Sequence, residues 1–161
     1  MWRITGDAAQ RVNLPSELSG APVQAMAEMS GGRLRMAIVR HGQWEQDDSP
    51  RRNWHPVPEP LGGPDANPLA MVRDDPGRLW LGYAFDRLVR VDESGTRTWR
   101  RSEGLNVGSL LCLTPQGERL WLGGELGVAL MIHDLAACTS PGCLPWPACR
   151  ESWPTVPEMY G

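Results

Sequence analysis

A six-residue phrase that recurs along the chain constrains its fold more than any other feature. It reads GRLWLG and ERLWLG in two copies and GRLRMA in a degenerate third copy. The residue after the first Leu of each copy is Arg35, Trp80 or Trp121, so the copies lie 45 and 41 residues apart. A period of about 40–45 residues accommodates the four short strands of one propeller blade. The sequence therefore predicts an array of blades.

The copy at residues 67–101 displays the blade pattern most clearly. Its predicted strands are at residues 69–73, 78–83, 87–92 and 96–100. The first turn contains Asp74, Pro76 and Gly77, in which Pro presets φ and Gly tolerates a positive φ. The second strand is apolar at successive positions, which favours burial on both faces between neighbouring blades.

The flanking copies follow the same order of strands and turns. Their predicted strands are at residues 23–29, 33–40, 109–114, 119–123 and 127–131, and residues 1–4 align with the third strand of a blade. The segment 46–68 contains six prolines and is predicted to be an irregular insertion. The predicted fold class is all-β: an incomplete β-propeller of about three four-stranded blades over residues 1–131, with repeats near 21–48, 67–101 and 107–131.

The repeat pattern stops near residue 131, and residues 132–161 are predicted to form an irregular tail. When 143–161 are back-translated with G+C-rich codons and read two bases further on, one permitted product contains another strand, an Asp-x-x-Gly turn and a Trp. We therefore hypothesise that the tail is out of frame. A possible metal set here lacks a C-x-x-C pair, so no metal site is expected; its members are His133, Cys138, Cys143 and Cys149.

Composition excludes several functional classes. All 16 basic residues are Arg, so the Lys of a phosphate-binding loop is missing. The net charge is −3, and the pairs 51–52 and 100–101 are too small for a nucleic-acid surface. His41, His55 and His133 are far apart in the sequence and have no nucleophile elbow near them. We expect no catalytic residues, no enzyme activity and no cofactor.

The targeting signals expected for an exported protein are not visible in the sequence. The first twenty residues carry charges at Arg3, Asp7, Arg11 and Glu17, and they contain no apolar core of a signal peptide. No stretch approaches the ~20 apolar residues of a spanning helix. Expression of this chain alone predicts a cytoplasmic location. Cys112, in an apolar strand, is predicted to be a small core residue.

The repeats resemble those of the two-component regulator propeller family, in which an Asp-x-x-Gly turn precedes Leu-Trp-Leu/Ile-Gly and then Gly-Leu-x-Arg-hydrophobic-Asp. The residues that match well are Asp74, Gly77, Leu79, Trp80, Leu81, Gly82, Leu88, Arg90 and Asp92. Those that match in part are Gln116, Gly117, Leu120, Trp121, Leu122, Gly123, Gly124, Gly127 and Val128. The copy around Arg35 departs from the pattern at the Trp position.

The resemblance implies a truncated fragment of a periplasmic ligand-sensing propeller from a bacterial protein with a histidine kinase or diguanylate cyclase output. Its partners would be a small molecule or glycan and the missing blades. Alternatives are a standalone protein-interaction scaffold and a propeller lyase or glycosidase. Trp80 and Trp121 are interpreted as wedges between blades, each followed by a small Gly, or else as ligand platforms. The candidate ligand-binding residues lie on loops 83–87 and 124–127: Tyr83, Phe85, Arg87 and Glu125.

Overall fold

The computed structural model describes residues 2–58 and 67–132, which form four antiparallel sheets. The N-terminal hairpin consists of β1 (Trp2–Thr5) and β2 (Ala8–Arg11). The first blade consists of β3 (Val23–Glu28), β4 (Leu34–Ile38), β5 (Gly42–Gln46) and β6 (Trp54–Val57). The second consists of β7 (Ala70–Arg73), β8 (Leu79–Tyr83), β9 (Arg87–Asp92) and β10 (Gly95–Trp99). The third consists of β11 (Leu110–Gln116), β12 (Arg119–Gly124) and β13 (Gly127–Ile132).

The strand register shows that the sequence repeat is a structural repeat. In every blade the marker residue of the phrase lies within the second strand, paired on both sides. The paired triplets are Ala27–Arg35–Glu45, Val72–Trp80–Arg90 and Thr114–Trp121–Leu130. The predicted all-β fold of blade-like sheets is confirmed.

The turn between β7 and β8 has the conformation that its sequence predicts. The backbone N–H of Asp74 donates to the Arg78 carbonyl at 3.0 Å, and the N–H of Gly77 donates to the Asp74 carbonyl at 2.9 Å. Gly77 has a φ of +95°, a value that side chains with a Cβ rarely adopt. These bonds set the register in which β8 follows β7.

The apolar core lies between the blades, and β8 contributes to it on both faces. All five residues of β8 are buried. On one face Leu79, Leu81 and Tyr83 pack with residues of the first blade such as Ala37. On the other face Trp80 packs with residues of the third blade, including Leu120 and Leu122. The prediction that this strand is buried on both faces is therefore confirmed.

A close approach of the third blade depends on a residue without a side chain in β8. A Cβ built on Gly82 would lie 2.8 Å from Leu110 Cβ, closer than two such atoms can pack. Glycine after Trp80 therefore lets β11 reach the second blade.

The prediction of an irregular insertion at residues 46–68 is wrong for its first half. This segment contains β6, which pairs with β5 and completes the first blade. Asp47 makes this possible because its carboxylate accepts hydrogen bonds from the backbone N–H groups of Ser49 and Asn53 and so closes the turn. Pro56 is tolerated because β6 is the outermost strand, where one missing N–H donor breaks no further pairing. Residues 59–66 lie outside the described part.

The two ends of the chain give different outcomes. Residues 1–4 were expected to match the third strand of a blade, and β1 pairs with β2 in the same antiparallel manner in which β9 pairs with β10. The expected irregular tail and its His133, Cys138, Cys143 and Cys149 fall in 133–161, which lie outside the described residues. Within residues 2–58 and 67–132, no helix has the length and apolarity to cross a bilayer.

Candidate functional site

Trp80 is enclosed between the second and third blades and is 0% exposed. Its indole N–H donates to Asp74 Oδ2 at 2.7 Å, which satisfies the one polar atom of the ring. Its ring stacks on that of Trp99, with the centroids 5.6 Å apart. A ring covered in this way packs blades together and presents no face to a ligand.

Asp74 connects the Asp-x-x-Gly turn to the core in a way that sequence spacing alone does not show. Its carboxylate accepts the backbone N–H of Arg78 at 2.8 Å, the Arg78 Nε–H at 2.7 Å and the Trp80 indole N–H. Burial acts to raise the pKa of Asp74, but the hydrogen bonds from Trp80 and Arg78 outweigh it and hold the pKa below its ordinary value. The Asp-x-x-Gly turn is therefore also the anchor of the blade's Trp.

The first blade replaces this aromatic wedge with a buried polar cluster. Arg35, at the Trp position, is 7% exposed. Its Nε donates to Gln43 Oε1 at 2.9 Å, and its Nη1 lies 3.5 Å from Glu45 Oε2. Glu45 also pairs with Arg33 at 3.0 Å. The guanidinium is satisfied by its neighbours, so the departure from the repeat at Arg35 is compensated within the blade.

The third blade places its Trp differently from the second. Trp121 is 39% exposed, although its N–H still reaches a side-chain oxygen, Gln116 Oε1, at 3.3 Å. Cys112 is exposed, so its prediction as a core residue is wrong. Trp121 and Cys112 are exposed for the same reason: in the described part of the chain, no further blade covers this face of β11 and β12. An apolar strand pattern does not indicate whether a neighbour is present.

The four candidate ligand-binding residues differ in their exposure to solvent. Tyr83 is 2% exposed and packs toward the first blade, so its prediction as a solvent-facing contact is wrong. Phe85 is 85% exposed and has a φ of +60°, in the turn between β8 and β9. Arg87 is partly buried, and Glu125 is exposed. The alternation of side chains along β8 explains why Tyr83 is buried, because residues 79, 81 and 83 share the face of the strand that packs on the first blade.

Residues 107–109 bring the two candidate loops together. The buried carboxylate of Asp86 accepts the backbone N–H groups of Val107 at 2.7 Å and Gly108 at 2.6 Å. In the second loop, the N–H of Glu125 donates to the Ser109 carbonyl at 3.2 Å, and that of Leu126 donates to the Val107 carbonyl at 2.9 Å. Both loops are thus attached to one segment at the same end of neighbouring blades.

We call the exposed residues around this junction the blade-tip surface: Phe85, Arg101, Glu125 and Leu126. Phe85 and Leu126 are 85% and 71% exposed, and Arg101 Nε lies 3.9 Å from Asp86 Oδ2. Sequence reasoning missed Asp86, whose carboxylate holds the junction. A signal was present, since an Asp in a three-residue connection is typical of a side chain that binds backbone N–H groups.

Gly124→Ala is expected to disrupt this junction. A Cβ at Gly124 would overlap the carbonyl oxygen of Val107, which is backbone and cannot rotate away. We expect the free energy of unfolding to fall by about 1–3 kcal/mol, as for other overpacked sites.

At the adjacent Gly123 a Cβ would meet Cys112 Sγ, an exposed side chain that can move. Gly123→Ala is therefore the control, with an expected change within about 0.5 kcal/mol. Equal losses in urea denaturation would contradict this account.

The described residues form no metal-binding cluster. His41 and His55 are exposed and lie on a turn and an outer strand. Within residues 2–58 and 67–132, no group of three or more His, Cys, Asp or Glu side chains could hold a metal ion.

Comparison with known proteins supports the fold. No family model and no curated protein matches the chain. Among solved structures, it is similar to the extracellular domain of a protein described as a one-component system, BT4673 of B. thetaiotaomicron. The TM-score is 0.60 at 17% identity, over 78% of this chain and 17% of that one. The extracellular domain of a protein described as a hybrid two-component system, BT3049, gives a TM-score of 0.55 at 19% identity, over 71% and 16%. The chain thus spans less than a fifth of each of these structures.

Proposed function

We propose that this chain is part of the extracytoplasmic, ligand-sensing β-propeller of a bacterial signal-transduction protein. The observation that carries the proposal is the similarity of its blades to extracellular domains of one-component and two-component systems. The fold suits such a role because a propeller supplies a rigid frame on which exposed loops can vary. A sensor changes the population of its output states by binding and needs no catalytic group.

The blade-tip surface is the proposed ligand contact. Phe85 offers an aromatic face, while Arg101 and Glu125 offer a donor and an acceptor. Asp86 and residues 107–109 hold the surface on two blades at once. A small molecule or glycan bound there would contact both blades and could alter their packing. The combination of an exposed ring with polar groups suits a ligand that has both hydroxyl groups and an apolar face.

A larger propeller is part of the proposal. The third blade exposes apolar side chains on its outer face and edge, namely Leu111, Trp121, Val128 and Ile132. The equivalent face of the second blade, around Trp80, is covered by the third blade. By the same packing, a further blade would cover Trp121. The full sensor would then contain more blades than this chain, which is consistent with the chain spanning less than a fifth of each structure that it resembles.

The first experiment is to read the DNA on both sides of the coding sequence. We expect further propeller repeats and, beyond them, a histidine kinase or diguanylate cyclase domain. A run of unrelated standalone genes would contradict the sensor proposal and favour an interaction scaffold.

The second experiment tests the blade-tip surface itself. The full chain is screened on a glycan array, and hits are titrated by isothermal calorimetry. We expect Phe85→Ala and Glu125→Gln to weaken a hit by about tenfold, as loss of a stacking or polar contact would. Met26→Ala serves as the control, because Met26 is 50% exposed but lies on β3 of the first blade. If all three variants bind as the unmodified chain does, this surface is not the ligand contact.

A further inference from the structure

A cleft of about 420 Å³ lies on the first blade, away from the blade-tip surface. One side is formed by the segment after the N-terminal hairpin, with Leu14 and Pro15. The other side is the end of the turn between β5 and β6, with Arg51, Arg52 and Trp54. Among the described residues that line this cleft, two are arginines and none is acidic.

The β5–β6 turn is held in a single conformation by Asp47. Its Oδ1 accepts the backbone N–H groups of Ser49 at 3.1 Å and Asn53 at 3.0 Å, and its Oδ2 accepts Asn53 Nδ2–H at 3.1 Å. The hydrogen bond from the Ser49 side chain is the main cause that lowers the pKa of Asp47. These hydrogen bonds join Asp47 to Ser49 and Asn53, which flank the two arginines in the chain. Asp47 therefore holds the loop that carries Arg51 and Arg52.

Arg52 is held in an unusual conformation and has unused hydrogen-bonding capacity. Its φ is +52°, in the left-handed region that few residues other than Gly, Asn and Asp adopt. Its Nη2 donates to the Gly31 carbonyl at 2.7 Å, which fixes the guanidinium. Its Nη1 is buried and has no hydrogen-bond partner within residues 2–58 and 67–132. A buried donor of this kind costs free energy unless an acceptor is supplied.

Trp54 gives the cleft an apolar wall of fixed orientation. Its indole N–H donates to the Asn13 carbonyl at 3.2 Å, so the ring is tied to the opposite side of the cleft. Its ring also packs against the cluster formed by Leu18, Met36 and Ile38. Leu14 and Pro15 add apolar surface beside it. The cleft thus combines a cationic end with an apolar wall.

We propose that this cleft binds a small organic anion: a carboxylate that pairs with Arg51 and Arg52, on an apolar body that lies against Trp54, Leu14 and Pro15. A planar carboxylate matches the forked donors of a guanidinium, and both Arg51 and Arg52 line the cleft. The site is independent of the blade-tip surface and of the proposed sensor role, since it uses other residues on another blade.

The first test compares two probes of the same shape on the unmodified full chain. Phenylacetate carries the carboxylate and an apolar ring, and phenylacetamide is its neutral counterpart. We expect phenylacetate to shift the NMR signal of the Trp54 indole N–H and to bind about tenfold or more tightly than phenylacetamide, since only it makes a charge-assisted bond. Equal binding of the two probes, or no shift at Trp54, would overturn the proposal.

The second test uses a pair of variants matched in backbone conformation. Arg52→Asn keeps a residue that tolerates the left-handed region but removes the guanidinium. Arg40→Asn makes the same change at an exposed arginine with a φ of +66° in the β4–β5 turn. We expect about tenfold weaker phenylacetate binding only for Arg52→Asn. If both variants bind as the unmodified chain does, Arg52 does not hold the anion. Should Arg52→Asn not fold, Arg51→Gln replaces it, and undiminished binding in that variant would count against the site.

Discussion

Replacing Trp80 with alanine is expected to lower the free energy of unfolding by about 3–5 kcal/mol, the range for large core truncations. The indole is fully enclosed, so its removal leaves a cavity between two blades that backbone pairing prevents from closing. It also leaves the Asp74 carboxylate without one of its donors. Urea denaturation of the full chain, followed by circular dichroism, measures the change.

Trp121→Ala is the matched control because it removes the same side chain from the same repeat position. The ring is 39% exposed, and its N–H bond to Gln116 is long, so we expect a loss of about 1 kcal/mol or less. The difference between the two variants therefore measures the contribution of the neighbouring blade. Similar losses for both would show that Trp121 is covered in solution and that the face of the third blade is occupied.

Asp74→Ala is expected to cost about 2–4 kcal/mol. Asp74 is 3% exposed, and the substitution removes an acceptor from the buried Trp80 indole N–H and from the partly buried Arg78 side chain. Buried groups that lose a charged partner account for costs of this size. Asp75→Ala provides the control, since Asp75 is exposed in the same turn. Equal effects of the two substitutions in urea denaturation would show that the anchoring of Trp80 contributes little.

The same carboxylate gives the chain an acid-sensitive stability. Hydrogen bonds hold the pKa of Asp74 below that of an unfolded Asp, which is about 3.9. The stability that it contributes is therefore fully present above about pH 4 and is lost as the pH falls through the folded-state value. Asp92 has a lowered pKa for a similar reason, chiefly the hydrogen bond from the Ser94 side chain. Asp74→Asn should flatten the decline in melting temperature below about pH 4, and an unchanged slope would contradict this.

The strands and turns of the second blade could be predicted from the sequence because local sequence signals specify them. The Asp74–Gly77 turn, the apolar run of β8 and the recurring phrase all act within a few residues of one another. The register that places Arg35, Trp80 and Trp121 at one position follows from these signals alone. Even the departure at Arg35 was visible, although its compensation by Gln43 and Glu45 was not.

The candidate site was predicted only in part, because solvent exposure depends on neighbours that are distant in sequence. Loops at the ends of strands could be recognised, and Phe85 and Glu125 are exposed as expected. Tyr83 could not be placed, since its burial depends on residues of the first blade more than forty positions earlier. Asp86 was missed because its partners, Val107 and Gly108, follow it by 21 and 22 residues.

The sequence by itself determined the repeat, the order of strands and turns in the second and third blades, and the position of the Trp within the second strand. These features follow from local backbone preferences and from the two-residue period of a strand. Only the tertiary structure decided which of the two Trp rings is buried, that Cys112 is exposed, and that β6 completes the first blade. The physical reason is that burial between blades is a property of pairs of blades, so identical phrases acquire different environments according to what packs against them.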